Sequence, residues 1–267
     1  MNAAWLIAKS VLIEAMRRRE IYAIVLVSTV IIGAVFTVDF FGLEGIVKFY
    51  REIALQVMSV ATSLTVVVLA ARQLPREFEN RTIYPLLAKP VSRARFLTGK
   101  LLGVMLAAAF CFGLFMSVYL AGALYLGGGI PWALFAQYVY LQMLQFLVLA
   151  TLAFWLSMLM NLDAAITLGA LFMATSSVVS NAMVFVYDFV APPAQVVLRV
   201  LNVAVPHLEL FDLSEKAVHS ELEMGGVRQQ FWQPLGLDTM LSLTLYGGVF
   251  AAVYFGCALW CFRRRAL

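Results

Sequence analysis

Charge is what this chain has least of. Asp, Glu, Lys and Arg together make up 13% of its 267 residues, against 63% hydrophobic, whereas a soluble domain carries about 25% charged residues. So little charge excludes an ordinary water-facing surface, and most of the chain must face lipid or other helices. The mean hydropathy of +0.90 agrees. Linkers rich in Ser, Gly and Pro are also missing, so residues 1–267 read as a single membrane domain. Cysteine and histidine are scarce. Cys111, Cys257 and Cys261 lie in or beside apolar runs, without disulfide or metal spacing. His207 and His219 belong to no HExxH arrangement and to no nucleophile–base pair, so neither a metal site nor a catalytic site is expected. A phosphate-cradling loop is absent as well. Gly99-Lys100 is followed by Leu101, and no glycine stands five residues before Gly99. The chain is therefore expected to bind no cofactor of its own and not to be an enzyme.

What is present is apolar length. A helix needs roughly 20 apolar residues to cross a hydrocarbon core, and runs of that kind lie at about 21–38, 53–71, 101–126, 134–160, 164–187 and 239–262. The expected fold class is an all-α integral membrane protein with six transmembrane helices. The basic flank Arg17–Arg19 is followed by no small-residue cleavage site, so the first run reads as a retained span. Of the Lys and Arg residues, four lie in 1–20, seven in 72–100 and three in the tail Arg263–Arg265. Only Lys48, Arg51, Arg199, Lys216 and Arg228 lie in the other connections. The positive-inside rule then puts both termini and the 72–100 loop in the cytoplasm. The net charge of +4 reflects this topology, and no nucleic-acid partner is expected.

Two segments outside the runs are amphipathic. In residues 1–20, Trp5, Ala8, Val11, Leu12, Ala15 and Met16 share one helical face, while Ser10, Glu14, Arg17 and Arg18 share the other. This pattern predicts an interfacial helix leading into the first span. The 188–238 segment is the one long external connection. Short helices are expected there, one after Pro192-Pro193 and a second over about 208–223 with Asp212, Glu215, Lys216, His219 and Glu223 on its polar side. A Gly225-Gly226 turn follows.

The second run carries a polar stripe. Lys48, Glu52, Gln56, Ser59 and Ser63 recur every three or four residues and so share a face. Gln56, Ser59 and Ser63 either line a translocation path or supply interhelical hydrogen bonds, and the sequence leaves both open. Gln142 and Gln145, with Ser180 and Asn181, are weaker instances of the same signal.

The 72–100 loop carries the most specific pattern. It is dense in charge and holds Ser92, a helix N-cap candidate, and Gly99 and Gly103, whose spacing permits close helix approach. Its run Glu77-Phe-Glu79-Asn-Arg81-Thr82-Ile-Tyr-Pro-Leu86-Leu87-Ala-Lys-Pro90-Val-Ser92-Arg93, followed by Gly99-Lys100, resembles the first cytoplasmic loop of ABC-2 type transporter permeases. The likeness is strongest to the branch that includes the permease for nitrous oxide reductase maturation. Arg81 stands where that branch often has Gly. Pro206-His-Leu-Glu-Leu-Phe-Asp212 resembles an external motif of the same branch.

The resemblance implies a permease subunit of an ABC exporter in the bacterial inner membrane, paired with a second copy or a related permease. It also implies that ATP is used by a separate ATPase subunit, docked through Glu77, Phe78, Glu79, Arg81 and Thr82. An exposed aromatic flanked by charges suits such a surface. A membrane scaffold or assembly protein is the alternative. A secondary transporter or channel fits less well, because the centres of the six runs hold no ionisable residue of the kind that couples ions.

Overall fold

The computed structural model describes residues 3–34, 42–79, 92–126, 130–187, 195, 205–218, 221–224, 227–230 and 233–264. The chain forms α1 (Ala3–Met16), α2 (Arg19–Ala34), α3 (Gly42–Glu79), α4 (Arg93–Tyr125), α5 (Trp132–Leu159) and α6 (Leu162–Tyr187). A 3-10 turn at Leu208–Phe211 and the short α7 (Ser214–Val218) come next. They are followed by a hairpin of β1 (Glu221–Met224) and β2 (Val227–Gln230), then by α8 (Leu237–Arg264). Four stretches have the length and apolarity to cross a bilayer: Ile46–Pro75, Arg93–Tyr125, Trp132–Leu159 and Leu237–Arg264. Ile21–Ala34 and Leu162–Ser176 are shorter apolar helical stretches at the positions of the first and fifth runs.

Two expectations are corrected. The 208–223 segment is not one helix. The Asp212 carboxylate accepts the Ser214 backbone N–H at 2.9 Å, which caps a fresh helix and breaks the chain away from the preceding 3-10 turn. Beyond α7 the chain becomes extended, and β1 pairs antiparallel with β2, Glu221 opposite Gln230 and Met224 opposite Val227. That register leaves Gly225 and Gly226 between the strands, a pair suited to a two-residue hairpin loop. The second correction concerns α3, which is far longer than the 53–71 run. It holds 38 residues, about 57 Å at 1.5 Å per residue, and continues past the internal Pro75 to Glu79. Arg51, read from sequence as part of a connection, is buried within it. The helix expected after Pro192-Pro193 lies outside the described residues.

α5 is the centre of the bundle and packs against α3, α4, α6 and α8. Aromatic rings fill the space between α3, α4 and α5. Tyr50 stacks on Tyr119 at 6.3 Å, Tyr119 on Phe135 at 5.4 Å, and Phe112 meets Phe146 edge-on at 5.4 Å. Such rings bury large apolar areas, and their hydroxyls need partners where no water reaches. The Tyr50 hydroxyl lies 3.1 Å from the Val118 carbonyl and 3.2 Å from that of Tyr119, while Tyr138 donates to the Leu55 carbonyl at 3.2 Å. α8 lies against α5 through Gly247, where an added Cβ would meet Leu144 Cγ at 2.7 Å. Its opposite side exposes Leu241, Leu245, Val249 and Val253, an aliphatic stripe at four-residue spacing that suits lipid.

The basic end of the bundle is clasped by the start of α4. The Ser92 side chain caps α4 by accepting from the Arg95 N–H at 3.3 Å. Arg93 donates to the Phe262 and Arg263 carbonyls at 3.1 and 2.8 Å, so a guanidinium satisfies the open C-terminal end of α8. Phe96 stacks on Phe262 at 6.0 Å beside it. The buried Lys100 reaches Gln73 Oε1 at 3.2 Å and lies over the Phe96 ring.

α1 packs along α4 through the Gly99/Gly103 pair. A Cβ at Gly99 would lie 2.9 Å from the Ala4 carbonyl oxygen, and one at Gly103 would lie 2.5 Å from Val11 Cβ. Ala8, Val11 and Ala15 are buried in this seam, while Trp5, Leu6, Ile13 and Met16 remain exposed on its flanks. The apolar face read from the sequence is thus divided, with its small residues against α4 and its large ones outward. Inserting a side chain into such a seam costs about 1–3 kcal/mol. Gly103→Val is expected to lower the thermal stability of the purified protein and expose α1 to protease. Gly113→Val, at a position with open space around it, should do neither.

Candidate functional site

α3 presents its polar stripe to a cavity of about 820 Å³. Glu52, Gln56, Ser59 and Ser63 line one wall, Gln145 of α5 lies across from them, and Met173, Ala174 and Ser176 of α6 form a third side. Leu208, Glu209, Asp212, Ser214 and Glu215 cover one end. From Glu52 to Ser63 the wall extends about 16 Å along the α3 axis, comparable with half of a roughly 30 Å hydrocarbon core. The i, i+4, i+7, i+11 spacing is what turns these four side chains the same way.

The segment covering the cavity is held by hydrogen bonds to the helices around it. Ser176 donates to the Pro206 carbonyl at 3.2 Å and accepts the Leu208 N–H at 3.1 Å. The His207 N–H donates to the Tyr246 hydroxyl at 3.0 Å. Phe211 is fully buried and packs beside Tyr246. Gln137 fixes the return of the chain into α8, its amide exchanging two bonds with the Leu235 backbone at 2.9 and 3.0 Å. The 206–212 stretch is therefore a fitted cover and not a loose loop.

Polarity inside the cavity is graded. Glu209 and Glu215, with Asp212, bring carboxylates to the covered end, and Glu52 adds another from α3. Deeper in, the side chains are neutral. Ser59 donates to Gln142 Oε1 at 3.0 Å across the α3–α5 contact. Ser63 Oγ and Gln145 Oε1 are buried, line the cavity and have no hydrogen-bond partner among the described residues. Leaving a buried polar atom unsatisfied costs about 1–3 kcal/mol, so these two atoms are set to bond whatever enters the cavity. On the other side of α3 an aliphatic groove of about 490 Å³ runs between α2 and α3, lined by Ile24, Val27, Ile31, Val57 and Leu64 among others. It shares Gln56 and Val60 with the cavity.

Residues 5–267 match the family described as ABC-2 family transporter protein. The chain belongs to that family. A comparison with curated proteins gives no match. ABC-2 family chains are multi-pass membrane components of ABC transporters, not the catalytic ones, and membership implies a transport system with an ATPase partner in general.

Of the residues singled out in the sequence of this ABC-2 family chain, Gln56, Ser59 and Ser63 stand together on the cavity wall. Glu77, Phe78 and Glu79 form the end of α3, and Arg81 and Thr82 lie outside the described residues. Gln145, Glu209, Asp212 and Glu215 carried no clear signal in the sequence. The stripe on α3 implied that something polar faced it, but which helix did so depended on packing.

If the stripe borders an accessible cavity, Gln56→Cys and Ser63→Cys should be modified by a small hydrophilic methanethiosulfonate in a background lacking Cys111, Cys257 and Cys261. Ala54→Cys, fully buried one turn away, should stay unmodified. Equal reactivity at all three positions would show the wall to be misassigned.

Proposed function

We propose that the chain is the permease subunit of an ATP-binding cassette exporter in a bacterial inner membrane. It spans the bilayer six times with both termini cytoplasmic, pairs with a second copy or a related permease, and couples to a separate ATPase through the 72–100 loop. The likeness of the 77–100 run to the nitrous-oxide-reductase maturation branch supports placing it there. The charge distribution supports the orientation: Arg72, Arg93, Arg95, Lys100, Arg263 and Arg264 gather at one end of the bundle, and the carboxylates around the cavity lie toward the other. α1 meets α4 at its Gly99/Gly103 pair near that basic end, and its exposed Lys9, Ser10, Glu14 and Arg17 suit the headgroup layer.

The observation that carries the proposal is the continuity of α3. One helix holds Gln56, Ser59 and Ser63 on the cavity wall and Glu77, Phe78 and Glu79 at its end. Fourteen residues separate Ser63 from Glu77, about 21 Å at 1.5 Å per residue. A helix of this kind transmits displacement along its length, so a push on the docking end moves the wall. Pro75 lies between, where it removes one backbone hydrogen bond and lets the docking turn take its own direction. ATP closure of two partner ATPases supplies the push. The neutral floor of Ser59, Ser63 and Gln145 has no ionisable group to couple an ion gradient, which weighs against a secondary transporter.

Glu77→Arg and Glu79→Arg together should cut retention of the co-expressed ATPase by roughly tenfold, about 1.4 kcal/mol, and leave the folded yield unchanged. Full retention of the ATPase by the double variant, with transport intact, would remove the docking assignment.

A further inference from the structure

Every charged residue lining the α3–α5–α6 cavity is acidic: Glu52, Glu209, Asp212 and Glu215. The bases nearest in sequence, Lys48, Arg51 and Lys216, are not among the lining residues. A chamber walled by one sign of charge and closed off from bulk water concentrates ions of the opposite sign. Below the carboxylates, Gln145 Oε1 and Ser63 Oγ are acceptors without partners, 7% and 1% exposed as residues. Charge and hydrogen-bond demand therefore point the same way, toward a ligand that is positive and donates N–H or O–H bonds.

The shape of the surroundings narrows the class. Among the described residues no group of three His, Cys, Asp or Glu side chains is close enough to hold a metal ion. The carboxylates are spread along the cavity and do not converge on one point, so a compact divalent cation is poorly served. An organic ammonium, with its charge spread and its donors separated, fits better. The adjoining α2–α3 groove adds a second requirement. It meets the cavity at Gln56 and Val60 and is otherwise almost wholly aliphatic. Both spaces fall within or near the 300–1,000 Å³ of ordinary ligand sites.

The geometry points to a cationic amphiphile as the ligand of this site. Its ammonium head sits in the cavity, donating to Gln145 Oε1 and Ser63 Oγ and balanced by Glu52 and Glu209. Its hydrocarbon tail leaves past Gln56 and Val60 to lie in the groove between α2 and α3. Such a path admits the tail from the lipid side while the head stays in a polar chamber. This assignment rests on reading the cavity as the cargo's station in the permease, and it adds the cargo's class.

The test uses the full chain in nanodiscs of zwitterionic lipid, with binding to empty nanodiscs subtracted. The probes are radiolabelled dodecylammonium and dodecanoate, equal in chain length and opposite in charge. The wild-type chain should hold dodecylammonium at least about tenfold more tightly. Glu52→Gln with Glu209→Gln should abolish that preference, Gln145→Leu should weaken it, and Val27→Trp should weaken binding by filling the groove. As a readout that does not depend on those variants folding, dodecylammonium should protect Gln56→Cys from thiol modification and dodecanoate should not. Equal binding of the two probes, no change in the acid-to-amide variant, or no protection would each overturn the assignment. The outcomes separate from those of the docking test. A chain that retains its ATPase but does not discriminate charge loses this inference alone, and one that discriminates charge but never holds an ATPase loses the permease reading alone.

Discussion

Inside a bilayer no water is available to satisfy a polar group, and the packing of this protein follows from where it collects the polar groups it has. Backbone groups are satisfied within helices. Side-chain hydroxyls in the aromatic core find carbonyls on the next helix, as Tyr50 does on α4 and Tyr138 on α3. The remaining polar side chains of the second run are placed on one face of α3 and turned toward α5 and α6. There they enclose a cavity and not a dry contact. An interhelical hydrogen bond in a membrane averages only about 0.6 kcal/mol, too little to explain assembling so many polar side chains for adhesion alone. The single Ser59–Gln142 bond accounts for part of the stripe, and the unpartnered Ser63 and Gln145 account for its opening.

The two ends of the bundle are built by opposite means. At the basic end, cations are absorbed into structure: Arg93 closes α8, and Lys100 is buried against Gln73 and Phe96. At the other end, carboxylates are left facing a space. The first arrangement locks α4 to α8 just where the loop from α3 rejoins the bundle. The second leaves α3, α6 and the 206–215 cover bordering a chamber whose width depends on their separation. A displacement of α3 is therefore resisted at one end and expressed at the other, which is what a coupled permease requires.

Small residues set how closely the parts approach. Gly99 and Gly103 let α1 lie on α4, and Gly247 lets α8 lie on α5 against Leu144. In lipid the hydrophobic effect does not drive helices together, so close van der Waals contact and exclusion of lipid must do so. The glycines are accordingly found at contacts, while Gly113, Gly248 and Gly256 face open space.

The sequence by itself determined that the chain is a helical membrane protein, which stretches are apolar enough to be buried in lipid, and that one helix carries a polar face. Composition and period suffice for those because each is a property of a single segment against its solvent. It also carried the Ser92 cap and the Gly99/Gly103 approach, since both depend on neighbours along the chain. Tertiary structure alone decided what those features meet. The 208–223 stretch looked like one amphipathic helix, yet Asp212 caps a new turn because Phe211 is drawn into the core beside Tyr246. The partner of the stripe, Gln145, and the carboxylates of the cover lie far from it in sequence, and only the packing of α5 and α6 on α3 brings them together. A helical period reports which residues share a face. The contents of the space in front of that face are fixed by other segments, and no local pattern encodes them.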